Sequence, residues 1–287
     1  MFIKDIYGGK KPVVSFEVFP PKEKTDIRSI YSALTQMSGL SPDFISVTYG
    51  AGGSAKSGGT GDIAAFIQNE RGLTALAHLT CVGSKRETIS ALLDGLEADE
   101  VCNVLALRGD LPENREPGDY KYAGELIEEI ARRGGFCIGA ACYPEGHIDC
   151  SDLSLDIDRL LMKQEAGADF LITQLFFDNS YFFEFLERAR ARGVNLPISA
   201  GVMPILSRSQ IERMIFMCGA SLPSGIIKLL HRYADSPADL RAAGIEYAAE
   251  QLADLKSNGA EGVHIYTMNR PEIAEYCIGR LEETPRG

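Results

Sequence analysis

The chain has 287 residues, 45% of them hydrophobic, and a formal net charge of −11 from 40 acidic and 29 basic side chains. An acidic, mixed-charge surface argues against nucleic acid as the main partner, because neutralising phosphate needs a basic face. A few local arginines would still suffice for a small anion. No apolar stretch approaches the roughly 20 residues that span a bilayer, and Met1–Lys11 lacks the apolar core of a signal peptide, so a cytoplasmic protein is expected.

The seven cysteines fit that compartment. Cys81, Cys102, Cys137, Cys142 and Cys277 fall in apolar or helical patterns, where a thiol behaves as a small hydrophobe. Their odd number and the lack of a Cys-x-x-Cys pair argue against a disulfide framework. The four histidines show no metal-ligand spacing, so no protein-bound metal is expected.

Eight short runs rich in β-formers recur in chain order: Val13–Val18, Phe44–Tyr49, Thr74–Leu79, Asn103–Leu107, Cys137–Cys142, Phe170–Gln174, Pro197–Val202 and Val263–Thr267. Segments of helical period lie between them, such as Asp156–Ala166 and Tyr181–Arg192. Strands alternating with helices imply parallel pairing. Eight units in a chain of this length are what a (β/α)8 barrel requires. No linker or charge block divides the sequence, so residues 1–287 are expected to form a single α/β TIM barrel. In such a barrel the polar residues closing the runs gather on the carboxyl face, where this fold keeps its chemistry. They are Glu17, Thr48, His78, Arg108 with Asp110, Tyr143, Gln174 and Arg270.

Two long stretches follow predicted strands, Gly50–Gly61 and Gly109–Tyr120. In the first, Gly50, Gly52 and Ala55 match a loose dinucleotide fingerprint, with Glu70 at a plausible distance for a ribose contact. A near P-loop also ends at Lys56 and Ser57. Both motifs need a helix to open within them, and Gly58, Gly59 and Gly61 would each destabilise that helix by about 1 kcal/mol. The stretch reads instead as a loop, either lining a ligand site or lying free on the surface.

Ser15, Glu17 and Phe19 share one face of the first strand, and one face of a barrel strand points inward. A buried carboxyl must be paired or protonated, and burial raises its pKa towards what a general acid needs. The competing reading turns Glu17 outward into an ion pair. In Arg108-Gly109-Asp110, glycine permits close backbone approach. Asp110 could accept two hydrogen bonds from an amidine-like edge such as a pterin's, or could simply cap a turn. His78 alone reads more readily as structural than catalytic. Gln174, among apolar neighbours, needs a hydrogen-bond partner that substrate could supply.

The chain resembles the methylenetetrahydrofolate reductase family in seven segments occurring in the family's order. They are SFEVFPPK (Ser15–Lys22), FISVTYGAGGS (Phe44–Ser54), AHLTC (Ala77–Cys81), LALRGD (Leu105–Asp110), YPEGH (Tyr143–His147), EAGADFLITQLFFD (Glu165–Asp178) and HIYTMNR (His264–Arg270). The resemblance implies an FAD-carrying barrel and ping-pong turnover. NADH or NADPH would pass hydride to the flavin, which would then reduce the 5-iminium form of 5,10-methylenetetrahydrofolate to 5-methyltetrahydrofolate. By matching motifs, Glu17 would be the acid that opens the methylene bridge, and Asp110 would hold the pterin and support its cation. Gln174 and Arg270 would bind the folate. Thr48, His78, Arg108, Gly109, Asp110, Tyr143, His147, Asp156 and Lys163 would line the flavin site.

Two positions depart from the family's pattern. Met162, with Arg159 beside it, stands where polar or basic residues often hold the cofactor's phosphates. Met203 replaces a more common leucine on the face expected to meet nicotinamide and folate. The chain ends soon after the eighth unit, leaving no expected room for the S-adenosylmethionine-sensing domain of eukaryotic relatives. A homo-oligomer is expected, and the sequence leaves open an accessory electron-transfer subunit. The rival readings are a flavin-free pterin-binding barrel and a catalytically silent barrel subunit.

Overall fold

The computed structural model describes residues 1–9, 12–21, 27–49, 59–110 and 118–285. Its eight strands are β1 (Val13–Val18), β2 (Phe44–Val47), β3 (Thr74–Thr80), β4 (Asn103–Leu107), β5 (Cys137–Cys142), β6 (Phe170–Thr173), β7 (Ile198–Val202) and β8 (Gly262–Tyr266). Each pairs in parallel with the next, and β8 closes onto β1 through Ser15↔His264 and Glu17↔Tyr266. The (β/α)8 barrel expected from the sequence is thus the observed fold.

One or more helices follow each strand: α1 (Ile27–Ser38), α2 (Thr60–Ala65), α3 (Arg86–Ala98), α4 (Ala123–Arg133), α5 (Leu153–Glu165) and α6 (Asn179–Ala191). After β7 come three, α7 (Arg208–Cys218), α8 (Ser224–Arg232) and α9 (Pro237–Ser257), and α10 (Pro271–Glu283) follows β8. Local chemistry sets their starts. Asp152 accepts from the Ser154 and Leu155 amides to cap α5, Asp178 accepts from Ser180 on α6, and Ser207 accepts from Gln210 on α7. Proline occupies the first turn of α9 and α10, where its missing N–H costs nothing. Among the described residues no helix is long and apolar enough to cross a membrane.

The strands bury both faces. Phe16, Val18, Ile45, Val47, Ala75 and Ala77 point outward into the main core beneath the helices. The amino-terminal half of the barrel interior is filled by Val13, Phe44, Leu76, Leu105, Cys137, Phe170 and Ile172. Fully burying side chains of this size is worth about 1.5–3 kcal/mol each. The N-terminal turn Ile3–Asp5 plugs that end: the Ile3 amide donates to Asn103 Oδ1 at 2.9 Å, and Tyr7 and Ser199 join hydroxyls at 2.9 Å. A third cluster, with Leu175, Phe177, Met203, Ile205, Ile226 and Leu230, seats α7 and α8 over the opposite, carboxyl end.

The first nine residues of the glycine-rich stretch, 50–58, lie outside the described residues, as do 111–117 of the second. The helix opens at Thr60, after the fingerprint rather than inside it. Glu70 lies at the far end of that helical segment, before β3, in a groove on the barrel's outer flank with Tyr31, Asp62, Phe66 and Asp99. It is remote from the strand ends, because a helix that returns antiparallel to its strand delivers its last turn to the amino face. The ribose contact weighed for Glu70 is therefore excluded.

Candidate active site

Glu17 points into the barrel. Its side chain is 17% exposed, with Oε2 at 3.4 Å from Nε2 of His264 and 3.6 Å from Nε2 of His78. His264 is completely buried and His78 nearly so. The outward reading of Glu17 fails because the β1 register puts Ser15 and Glu17 on the same side as His264 and Tyr266. Two polar residues after β8 hold its backbone. Thr267 Oγ1 donates to the Glu17 carbonyl at 2.7 Å, while Asn269 bonds both the amide and the carbonyl of Phe19 at 2.9 and 2.8 Å.

Burial pushes the His78 imidazole down to about 4, with the nearby Glu17 carboxylate opposing and His264 adding to the depression. His78 is therefore neutral at physiological pH. Its buried Nε2 has no hydrogen-bond partner among the described residues.

A second group lies across the mouth, on the loops after β4 and β5. Arg108 donates to Asp149 at 3.0 Å, and the His147 amide donates to Asp156 at 3.1 Å. The His147 ring meets Tyr143 edge-on, with centres 4.6 Å apart. From α5, the Lys163 ammonium donates to the Ala141 carbonyl at 2.7 Å and lies 5.8 Å from the Tyr143 ring centre. Burial lowers the pKa of Lys163, as does Arg159, while Cys142 and Asp156 oppose the shift. Burial lowers the pKa of His147 as well, reinforced by the Arg108 charge. Asp156 and Lys163 stand seven residues apart, two helical turns, so α5 turns both towards the strand ends.

Gln174 and Tyr143 line a small cavity with Glu145, Gly146, Cys218 and Ala220. The Gln174 side-chain oxygen accepts the Leu175 amide at 3.0 Å. Asp110 is exposed on the rim, and its charge, after burial, helps raise the Cys218 thiol. Gly109 adopts φ +88°, and a Cβ there would lie 2.9 Å from Val82, so glycine makes the turn that delivers Asp110. Tyr266 links the two groups of residues. Its hydroxyl donates to the Thr173 carbonyl at 3.0 Å, and its ring occupies space kept open by Gly201, where a Cβ would come within 2.9 Å.

Not every expected residue joins this assembly. Thr48 is tied to the rim by its amide on Val18 and its carbonyl on Thr60. Arg270 is exposed beside Glu272 at the start of α10. Met162 is 65% exposed on α5. Met203, expected on a ligand-facing surface, is 4% exposed and packs under α7 and α8. Reading the sequence missed His264, Tyr266, Thr267 and Asn269, although all four lie in HIYTMNR. For Thr267 and Asn269 the signal available was a dense polar cluster immediately after the last strand.

Comparison with known families matches residues 3–282 to the family described as methylenetetrahydrofolate reductase. The 5,10-methylenetetrahydrofolate reductase of Pectobacterium carotovorum subsp. carotovorum is 32% identical over 92% of this chain and 88% of its own length. Methylenetetrahydrofolate reductase 1 of Schizosaccharomyces pombe is 33% identical over 95% of this chain. Methylenetetrahydrofolate reductase (NADH) 1 of Arabidopsis thaliana is 32% identical over 97%. The match spans only 46% and 49% of those two eukaryotic proteins. Among solved structures, an uncharacterized protein from Clostridium thermocellum that binds two copies of 5-methyl-5,6,7,8-tetrahydrofolic acid superimposes with a TM-score of 0.65. It covers 95% of this chain and 94% of its own at 14% identity, a likeness of fold alone. By its family match and by relatives aligned over nearly its whole length, the chain belongs to the methylenetetrahydrofolate reductase family.

Proposed function

We propose that this barrel reduces 5,10-methylenetetrahydrofolate to 5-methyltetrahydrofolate, using FAD and a reduced nicotinamide in ping-pong order. The observation that carries the reading is Glu17, an inward carboxyl at the barrel mouth, set against two buried imidazoles and facing a rim that holds Asp110, Gln174 and Tyr143. The names of the plant relatives favour NADH as the reductant.

The residues present suit a flavin. His78 offers a buried ring nitrogen without a hydrogen-bond partner among the described residues. The Arg108 guanidinium and the Lys163 ammonium supply fixed positive charge near Tyr143 and His147. These residues, with Gly109 and Asp156, would hold the cofactor. FAD bound there would supply the hydride, which makes positioning the protein's main contribution.

The chain's own groups then divide the acid–base work. Glu17 would donate a proton to the departing nitrogen of the methylene bridge, generating the iminium. Asp110, on the exposed rim, would stabilise that cation and grip the pterin edge. Gln174 would orient the folate from the facing wall, with Arg270 at the edge of the site.

The absorbance of the purified protein tests this reading. An oxidised-flavin spectrum, bleached anaerobically by NADH or NADPH and restored by methylenetetrahydrofolate, is expected. A colourless protein that binds pterins would indicate a flavin-free barrel, and one that binds neither a silent subunit. Sedimentation would establish the expected homo-oligomer and show whether an accessory redox subunit co-purifies.

A further inference from the structure

The connection from β6 to α6 begins at Gln174, and its side chains bury in two directions. Leu175 and Phe177 turn into the cluster under α7 and α8. Phe176 turns the other way into the main core, stacked on Phe182 with ring centres 5.6 Å apart. β6 has ended at Thr173, so the carbonyls of these buried residues no longer belong to the barrel ladder. A buried carbonyl needs a donor from elsewhere. For two of them α9 supplies it. Gln251 Nε2 donates to the Phe176 carbonyl at 3.0 Å, and the Tyr247 hydroxyl donates to the Phe177 carbonyl at 2.6 Å. A backbone carbonyl only accepts, so both bonds have one possible direction.

Gly244, Tyr247, Gln251 and Asp254 follow one another at three- and four-residue spacing, which puts them on one face of α9. A Cβ at Gly244 would overlap the Ile205 carbonyl, so glycine lets the helix lie directly against the backbone after β7. Further along that face, Asn179 in the first turn of α6 donates to the Gln251 carbonyl at 3.0 Å and to Asp254 at 2.7 Å. Gln174 stands at the near end of the held segment. Its amide donates to the Cys142 carbonyl at 2.7 Å, and its side-chain oxygen accepts the Leu175 amide at 3.0 Å. The Gln174 side chain is thus folded back onto the backbone that α9 grips one and two residues further on.

We propose that Tyr247 and Gln251 are positioning residues for Gln174: by fixing the carbonyls of Phe177 and Phe176 they hold the Leu175 amide, and with it the Gln174 side chain, at the wall of the cavity. This rests on the reading of Gln174 as a folate contact. Neither Tyr247 nor Gln251 lines the cavity that Gln174 shares with Tyr143, so both act through the backbone and not on the ligand. The geometry matters because a misplacement of about 1 Å in a positioning group can cost on the order of 10²-fold in rate.

Tyr247→Phe and Gln251→Met each remove one donor and keep most of the side chain's bulk. Hydrogen exchange of the purified enzyme gives the first test and needs neither substrate nor turnover. Peptides covering residues 174–178 should exchange faster in either variant, while the strands β1 to β4 keep the parent's rates. Unchanged exchange in that segment, or a rise spread over the whole barrel, would overturn the positioning role. The second test is binding. The dissociation constant of the flavin-loaded enzyme for 5-methyltetrahydrofolate should rise about 2- to 10-fold in each variant, the worth of one hydrogen bond between uncharged groups, with FAD content unchanged. In a Gln174→Ala background neither substitution should raise it further, because both act through the residue already removed. Losses that add in full would place the effect outside Gln174 and overturn the proposal. So would parental affinity in Tyr247→Phe and Gln251→Met beside weakened affinity in Gln174→Ala, a result that leaves Gln174 as the folate contact. Parental affinity in Gln174→Ala itself would overturn that reading and this inference with it.

Discussion

The Lys163 ammonium on α5 donates a 2.7 Å hydrogen bond to the carbonyl of Ala141 on β5, beside the Tyr143 ring. A buried cation fixed by a backbone carbonyl keeps further N–H donors for an anionic or carbonyl ligand. A charge-assisted contact of this kind is worth about 1.5–3 kcal/mol, so Lys163→Ala should weaken FAD binding about 10- to 100-fold. Flavin content after dilution and gel filtration measures this. Unchanged retention would remove Lys163 from the cofactor site.

Asp110 has a different expected role. It is exposed on the rim, on the turn made by Gly109, and its charge reaches Cys218 across the mouth. Asp110→Asn should harm the folate half-reaction far more than reduction of the flavin by nicotinamide. The flavin's potential should rise, since removing a nearby negative charge favours the anionic reduced form. Rapid-reaction kinetics of each half-reaction and a redox titration check both. Equal losses in the two halves would mark Asp110 as structural.

His78 makes stability depend on pH. Its folded pKa is lowered to about 4 from 6.5, chiefly by burial. Between those values the unfolded chain takes up a proton that the folded one refuses, so stability is complete above pH 6.5 and falls as the pH drops towards 4. The loss for this group approaches about 3 kcal/mol. His147, also lowered, adds in the same direction. Urea unfolding at pH 7 and pH 5 should therefore show a drop that His78→Gln reduces without abolishing. An unchanged pH dependence in His78→Gln would mean that the ring is protonated in the fold.

Much of this architecture is legible in the sequence, and where it is not the reasons are physical. The alternation of Ser15, Glu17 and Phe19 put the three on one face and left open whether Glu17 turns inward or outward, and the β1 register decides for inward. Strand ends were overestimated where polar residues leave the ladder for local bonds. Thr48 does so when its carbonyl takes the Thr60 hydroxyl. The connection from β7 to β8 holds three helices, because α7 and α8 are short and break at Gly219 and Pro223. Local pattern reading does not separate such pieces from one longer unit. His264 was missed for a deeper reason. A histidine inside an apolar run reads as core, and only closure of β8 onto β1 brings it under a carboxylate 247 positions away.

Glu17 itself carries the sharpest expectation. Glutamine there preserves size and hydrogen-bonding shape, but it has no proton to give. Thr267 holds the Glu17 carbonyl and Asn269 holds Phe19 two residues on, so the side chain's placement should survive the change. Flavin reduction by nicotinamide needs no acid at the folate, and its rate should hold. Folate reduction should fall by about 10²–10⁴-fold, the usual contribution of a positioned general acid. FAD content should stay near wild type, because Glu17 is not among the residues assigned to the cofactor. Anaerobic stopped-flow on Glu17→Gln, following each half-reaction separately, makes the comparison within one preparation. If the variant reduces methylenetetrahydrofolate as fast as the parent, the proton comes from elsewhere, and the inward carboxyl is not the acid.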